Sequence, residues 1–327
     1  ATSETLAIWK AQTFQPAAYV DLTAGLGVDA WAMSRHLLSS KVVVFERDEA
    51  RAKMLEWNFK QLGIACEVHQ QEATMANIDG WPENALIYID PDRRVSGQRS
   101  LSVKDWSPDL SIWIPEILSR NRQLLIKFSP MIDITWIEHN FPGRKQVYVL
   151  GKEREVKEVL VHFEGSFADV NSTYLPKTAV IFQKGETYYW SNNAGDEKQV
   201  PLAEPITEQW LFDPHGALIK AGLTSEVAAH YQLSRLSKNN PYLLGNAFVD
   251  NFPGTQFKIL SVMEFKPELL KSYLKSKDIR GAGVGCRDFP ETAEKLKQRF
   301  KLGESHSHYL AFTKTFRGKL ITIHGQT

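Results

Sequence analysis

The stretch Val20-Asp21-Leu22-Thr23-Ala24-Gly25-Leu26-Gly27-Val28-Asp29 constrains this chain more than any other. An apolar run ends in an acid, a Gly-x-Gly bend follows at once, and a helix begins after it. The glycines let the backbone approach a ligand closely, and the helix start offers N–H groups without carbonyl partners. A strand, tight turn and helix in this order predict a nucleotide cradle. Its candidate residues are Asp21, Thr23, Ala24, Gly25, Gly27 and Asp29.

Two cofactors compete for such a loop. Gly25-Leu26-Gly27-Val28-Asp29-Ala30 fits the dinucleotide pattern G-x-G-x-x-G/A, and Glu46 stands about 20 residues on, where a ribose-binding acid belongs. A dinucleotide strand stays apolar up to its first glycine, however, whereas Asp21 and Thr23 interrupt this one. An Asp four residues before Gly-x-Gly resembles the first motif of the class I S-adenosylmethionine (SAM)-dependent methyltransferases. In that family the loop curves around the methionine part of the cofactor, with the acid beside it. An Asp21 that only caps the turn is the alternative.

The segment 41–45 reads as a buried strand with Glu46 at its carboxyl end, where ligands of an open α/β sheet sit. A carboxylate there can accept both hydroxyls of one ribose, and its competing role is a surface ion pair with Arg47 or Arg51. Arg47 is counted with the cofactor residues. Asp48 caps a helix with Ala52, Leu55, Phe59 and Leu62 on one stripe, and Gly63 ends it. A third strand, 66–69, leads to Glu72. The resemblance implies a contact to the adenine amino group near this position, though the family usually places an Asp there.

The fourth strand, 85–89, ends in Asp90-Pro91-Asp92-Arg93-Arg94. This resembles the acid-Pro motif closing the fourth strand of methyltransferases that act on nucleic-acid bases. SAM already carries its leaving group, so the enzyme must align a nucleophile and manage its proton. A side-chain oxygen and a carbonyl held rigid by proline can grip an amino or ring N–H. Asp90, Pro91 and Arg93 are therefore the catalytic candidates, with Asp90 also beside the cofactor, and Arg93 and Arg94 suit a substrate phosphate. The competing reading is an ordinary turn with two solvated arginines. Here no aromatic residue follows the proline, and Cys66 and Cys286 fall in the predicted third strand and in a distant domain, which discounts covalent catalysis on a pyrimidine carbon.

At 327 residues the chain exceeds one comfortable core. No apolar run reaches membrane-spanning length and the first residues are no signal peptide. Two distant cysteines make no disulfide framework, which suits a reducing cytoplasm. The chain opens without Met, and 4–14 already reads as a helix, so a fragment of a longer protein is expected. Lys10 on that helix is read as a surface lysine, with cofactor or substrate as its alternative neighbour. Strand 123–128 carries Lys127 at its edge, either solvated or near substrate, and 147–151 with 156–163 complete the sheet. Trp106 and Trp113 are read as core residues, with stacking on a base as the alternative.

Beyond the sheet, 179–182 and 187–190 form a hairpin at Gly185, and helices are expected at 217–223 and around 226–231. Residues 256–327 predict the order β-α-β-α-β-β: a strand at 257–265, a helix at 267–276, a glycine-rich strand at 280–289, a helix opened by Pro290, and two final strands. This order resembles the THUMP-like domain appended to some class I methyltransferases. The segment holds 14 Lys plus Arg against 7 Asp plus Glu, while the whole chain is only +1. Such asymmetry suits a polyanion, although solvated helix faces also collect lysines. His306 and His308 lack a third ligand, and no metal is expected.

Over its whole length the chain thus resembles a class I SAM-dependent methyltransferase. The resemblance implies an α/β Rossmann-like sheet with helices on both faces over 1–165, a small α+β ferredoxin-like domain over 166–255 and a basic THUMP-like domain over 256–327. It implies SAM as cofactor and structured RNA, tRNA or rRNA, as the partner presented to the Asp90 edge. An NAD-dependent oxidoreductase and a non-catalytic RNA-binding protein with a retained nucleotide pocket are the competing readings.

Overall fold

The computed structural model describes residues 2–36, 41–92, 94–95, 98–99, 106–141, 143–164, 175–192 and 198–326. The chain divides into two compact units: Ala1–Leu150 with Lys157–Thr178, and Gly151–Val156 with Ala179–Thr327. The first unit runs α1 (Glu4–Phe14), β1 (Ala18–Asp21), α2 (Val28–Ser34), β2 (Val42–Phe45), α3 (Glu49–Gln61), β3 (Glu67–His69), a 3₁₀ turn at Met75–Gly80 and β4 (Ala85–Ile89). It continues with two short strands, β5 (Arg94–Val95) and β6 (Gln98–Arg99), then α4 (Leu110–Ser119), β7 (Gln123–Phe128), α5 (Ile134–Asn140), β8 (Lys145–Lys152) and β9 (Glu155–Phe163).

Its sheet has the order β8-β9-β7-β4-β1-β2-β3. Strands β7, β4, β1, β2 and β3 are parallel, and β9 runs antiparallel to β7. Every residue of β1, β2 and β4 is buried, which explains why these runs show no polar alternation. The order reverses at β1, with β2 on one side and β4 on the other, so a crevice opens at their carboxyl ends. Local signals set the helix that follows β2: the Asp48 carboxylate accepts the Arg51 N–H, and Gly63 beyond the helix takes φ +65°.

The second unit contains most of a hairpin, β10 (Lys177–Gln183) and β11 (Glu186–Ser191), turned at Gly185. It continues with β12 (Trp210–Pro214), α6 (Gly216–Ala221), α7 (Thr224–His230), β13 (Ser234–Arg235) and β14 (Leu243–Gly245). The last elements are β15 (Gly254–Glu264), α8 (Pro267–Ser276), β16 (Gly283–Cys286), α9 (Ala293–Phe300), β17 (His308–Lys314) and β18 (Leu320–Gln326). They reproduce the β-α-β-α-β-β order expected for the end of the chain. Thr292 rather than Pro290 starts the second of these helices, its hydroxyl accepting the Lys295 N–H.

The expected boundary at residue 255 is crossed by a sheet. One seven-stranded sheet, β13-β14-β12-β15-β18-β17-β16, takes strands from both sides of it, with β12 antiparallel to β15. The reason is a shared core: Leu211, Tyr242 and Leu244 pack in one cluster with Ile259, Ile321 and Ile323. A second cluster, with Leu270, Leu274, Leu296, Leu310 and Phe312, holds α8 and α9. Among the described residues, no helix is long and apolar enough to cross a membrane.

Because Ile259 is fully buried in the shared cluster, Ile259→Ala is expected to cost about 2–5 kcal/mol. Hydrogen exchange should quicken in β14 as well as in β18. Acceleration confined to β15 and its following strands would contradict a common core.

Candidate functional site

A cavity of about 470 Å³ occupies the crevice where the strand order reverses, a size within the roughly 300–1,000 Å³ range of small-molecule sites. It brings together seven residues singled out in the sequence: Thr23, Gly25, Glu46, Arg47, Glu72, Asp90 and Pro91. Its other walls are Leu22, Phe45, Arg51, Asp92, Ser107 and Pro108. Ser107 follows in sequence the turn after β4. Its hydroxyl donates to Glu72 at 2.8 Å and accepts from Arg47 at 3.0 Å, while its backbone pairs with Asp92. No sequence signal marked Ser107, because its role arises from a return of the chain over the strand ends.

The two glycines of the bend serve different ends. Gly25 takes φ +56°, and a Cβ there would meet nothing within 4 Å, so its face is open to a ligand. Gly27 takes φ +83°, and a Cβ there would collide with Leu55 and Phe59 of α3. Gly27 therefore lets two helices close on each other and does not line the cavity. Ala24 is also outside the lining, where its N–H donates to the Phe45 carbonyl and pins the loop.

Glu46, at the end of β2, is only 5% exposed. Its Oε2 accepts the Gly25 N–H at 3.0 Å and its Oε1 accepts the Asp48 N–H at 2.8 Å, with Arg51 3.3 Å away. Two backbone donors thus hold the carboxylate in one orientation at the cavity wall, leaving its remaining lone pairs for a pair of hydroxyls. These groups fit a nucleoside cofactor: an open glycine floor, a fixed carboxylate, and the apolar faces of Leu22 and Phe45.

Asp21 is buried behind the loop instead of lining the cavity. It accepts the Thr23 N–H at 2.9 Å and the Tyr19 hydroxyl at 3.2 Å. The Thr23 hydroxyl oxygen then accepts the Asp90 N–H at 2.7 Å, so the acid of β1 positions the acid of β4 through one threonine. Burial pushes the Asp21 carboxyl up and the Asp29 and Asp90 charges add to this. The Thr23 N–H and the Tyr19 hydroxyl oppose it, leaving a value of about 7.

Asp29 does not line the cavity either. Lys10, which is completely buried, forms ion pairs with Asp29 and Glu158, and Thr2 and Tyr88 donate to the same Asp29 carboxylate. The expectation of a surface Lys10 is thereby overturned: α1 lies along α2, and its polar side chain meets two carboxylates inside the unit. Burial alone would raise the Asp29 carboxyl, but Lys10 and Lys127 outweigh it and hold it below the usual range.

Lys127, at the end of β7, pairs with Asp90 and also reaches Thr2 at 3.2 Å. Burial opposes its charge, yet Asp90, Glu158 and Asp29 prevail and keep the ammonium above the usual lysine range. The Asp90 carboxylate is 41% exposed, so it faces the cavity from a lysine-backed position. Trp106 and Trp113 are buried, against Phe128 and Trp81 respectively. Arg93 lies outside the described residues. Cys66 and Cys286 are half-buried free thiols, pushed by burial up to about 12 and about 11.

Residues 254–326 match the family described as THUMP domain-like. Two Mycobacterium tuberculosis proteins, from strains CDC 1551 and H37Rv, are each 24% identical over 301 residues, spanning 92% of this chain and 78% of theirs. Both bear the description "Uncharacterized S-adenosylmethionine-dependent methyltransferase". A crystal structure from Porphyromonas gingivalis W83, described as a "putative methyltransferase", superposes with a TM-score of 0.84 at 25% identity. That match covers 100% of this chain and 81% of the other.

Removing the Lys10 charge leaves Asp29 and Glu158 buried without it, so Lys10→Met should cost about 3–5 kcal/mol in denaturant unfolding. A cost near zero would mean that the two carboxylates do not depend on Lys10. Asp21 gives a pH signature. An unfolded aspartate titrates near 4, so from there to about 7 the folded chain keeps a proton that the unfolded chain has lost. Stability therefore falls as pH rises through this window. The Tm of Asp21→Asn relative to the parent should climb between about pH 4 and 7, and a pH-independent difference would contradict a raised Asp21.

Proposed function

We propose that this chain, a SAM-dependent methyltransferase with a C-terminal THUMP-like domain, transfers a methyl group to a base in structured RNA. The observation that carries the reading is the meeting, in one cavity, of the Gly25–Glu46 wall with the Asp90-Pro91 edge. Glu46 and Gly25 bind the ribose end of the cofactor, Glu72 stands toward its adenine, and Asp21 acts indirectly by fixing Thr23. The cofactor supplies a methyl group on a sulfonium, already activated for transfer.

What remains for the protein is alignment and proton handling. Asp90 has its backbone held by Thr23 and its carboxylate backed by Lys127, so it presents a fixed acceptor to an amino or ring N–H. Pro91 restricts the turn beside it. Arg47, half-exposed at the cavity and 3.7 Å from Asp92, adds positive charge close to where a substrate phosphate would pass. RNA is favoured as acceptor by the THUMP-like match and by the 14 basic against 7 acidic residues of 256–327.

The test is transfer of labelled methyl from SAM to total RNA of a strain lacking this protein, followed by identification of the modified nucleoside. Glu46→Ala should weaken SAM binding by about tenfold or more, as expected for a lost charge-assisted contact. Asp90→Ala should abolish transfer while SAM still binds. Label appearing only in protein would overturn the RNA reading, and full activity of Asp90→Ala would overturn the role given to that carboxylate.

A further inference from the structure

A second cavity, of about 360 Å³, lies wholly within the second unit, at the end of β12, the start of β15 and the β16–β17 edge. Its polar floor is a linked set. Asp213 Oδ1 accepts from Arg287 Nη2 at 3.1 Å, and Oδ2 accepts the Tyr309 hydroxyl at 3.1 Å. The Tyr242 hydroxyl stands 3.1 Å from that of Tyr309. The Asp213 side chain is 14% exposed and that of Arg287 34%, so neither is an ordinary surface group. Arg287 Nε has no hydrogen-bond partner among the described residues.

The surrounding backbone is shaped for this floor. A Cβ on Gly285 would collide with the hydroxyls of Tyr309 and Tyr242, so the glycine-rich β16 is what lets Tyr309 reach Asp213. The Tyr309 ring stacks on Phe257, with centroids 3.9 Å apart and planes 3° from parallel. A buried ion pair is a poor stabiliser, since apolar residues of equal volume would close a sheet as well or better. Stability therefore gives no reason to place Asp213 and Arg287 together at the bottom of an open cavity.

The chemistry of the floor selects its occupant. A carboxylate and a guanidinium side by side present an acceptor next to donors, the complement of a planar heterocycle whose edge carries both. The lining also balances, with Arg154, Arg287 and Lys297 against Glu153, Asp213 and Glu304. That balance gives a bare anion no advantage and suits a neutral polar ring. We propose that this cavity seats a single nucleobase, with Asp213 and Arg287 reading its donor–acceptor edge. The base comes either from a free nucleotide or from an unpaired position in RNA. The second source rests on the RNA reading above, and the first does not.

Equilibrium dialysis of the full chain with AMP, GMP, CMP and UMP, and separately with a short single-stranded RNA, tests this. At least one nucleotide or the RNA should bind saturably. Asp213→Asn and Arg287→Met should each weaken that binding by about tenfold or more, the loss of a good base-edge contact, with SAM affinity unchanged. Photocrosslinking of thio-substituted nucleotides and RNA to the unaltered chain guards against unfolded variants, and adducts are expected within 208–216, 283–289 or 304–309. Adducts only elsewhere, no saturable binding, or binding indifferent to both substitutions would overturn the proposal. If both variants methylate RNA normally and no base crosslinks in the cavity, the cavity assignment falls and the RNA reading stands. If nucleotides bind through Asp213 and Arg287 but no RNA accepts methyl, the reverse holds.

Discussion

The hydrogen bond from the Asp90 N–H to the Thr23 hydroxyl is the contact on which the first unit's crevice depends. It ties the loop after β1 to the end of β4, the two strands between which the sheet changes direction. Thr23 is itself fixed by Asp21, and the flanking amides of Leu22 and Ala24 donate to carbonyls of Tyr88 and Phe45. The glycine bend is thus clamped from both neighbouring strands before any ligand arrives. A site that needs no rearrangement to align its groups loses little entropy on binding.

Beneath that clamp lies a linked set of charges, Lys10, Asp29, Glu158 and Lys127 inside the unit and Asp90 at its half-exposed end. Two lysines face three carboxylates, so the set is anionic on balance, and Asp90 is the member that reaches the cavity. The arrangement explains two opposite outcomes for neighbouring acids. Asp29 meets lysines and ionises more readily, whereas Asp21, with only neutral donors around it, is pushed toward the proton. Environment rather than residue type separates their behaviour.

The second unit shows the same economy in a different setting. Glycines in β16 make space for an aromatic ring, the ring carries a hydroxyl to a buried acid, and the acid pairs with an arginine. Removing the hydroxyl or filling the space would disturb one end of a connected network. The shared sheet also binds the segment before residue 254 to the THUMP-like match after it, because β12 fills the place beside β15.

Much of the site was legible in the sequence, because strand ends are marked locally. Asp21, Glu46 and Asp90 each close an apolar run, and a parallel sheet puts all such ends on one edge. Sequence alone therefore determined the fold of the first unit, the acids at its strand ends and the order of elements in the last segment. Only the tertiary structure decided that Gly25 faces the cavity while Gly27 faces α3, that Lys10 is buried, that Ser107 closes a wall, and that β12 joins β15. Each of these depends on contacts between residues distant in sequence. Local pattern sets an element's period and its ends, but not which neighbour it will meet.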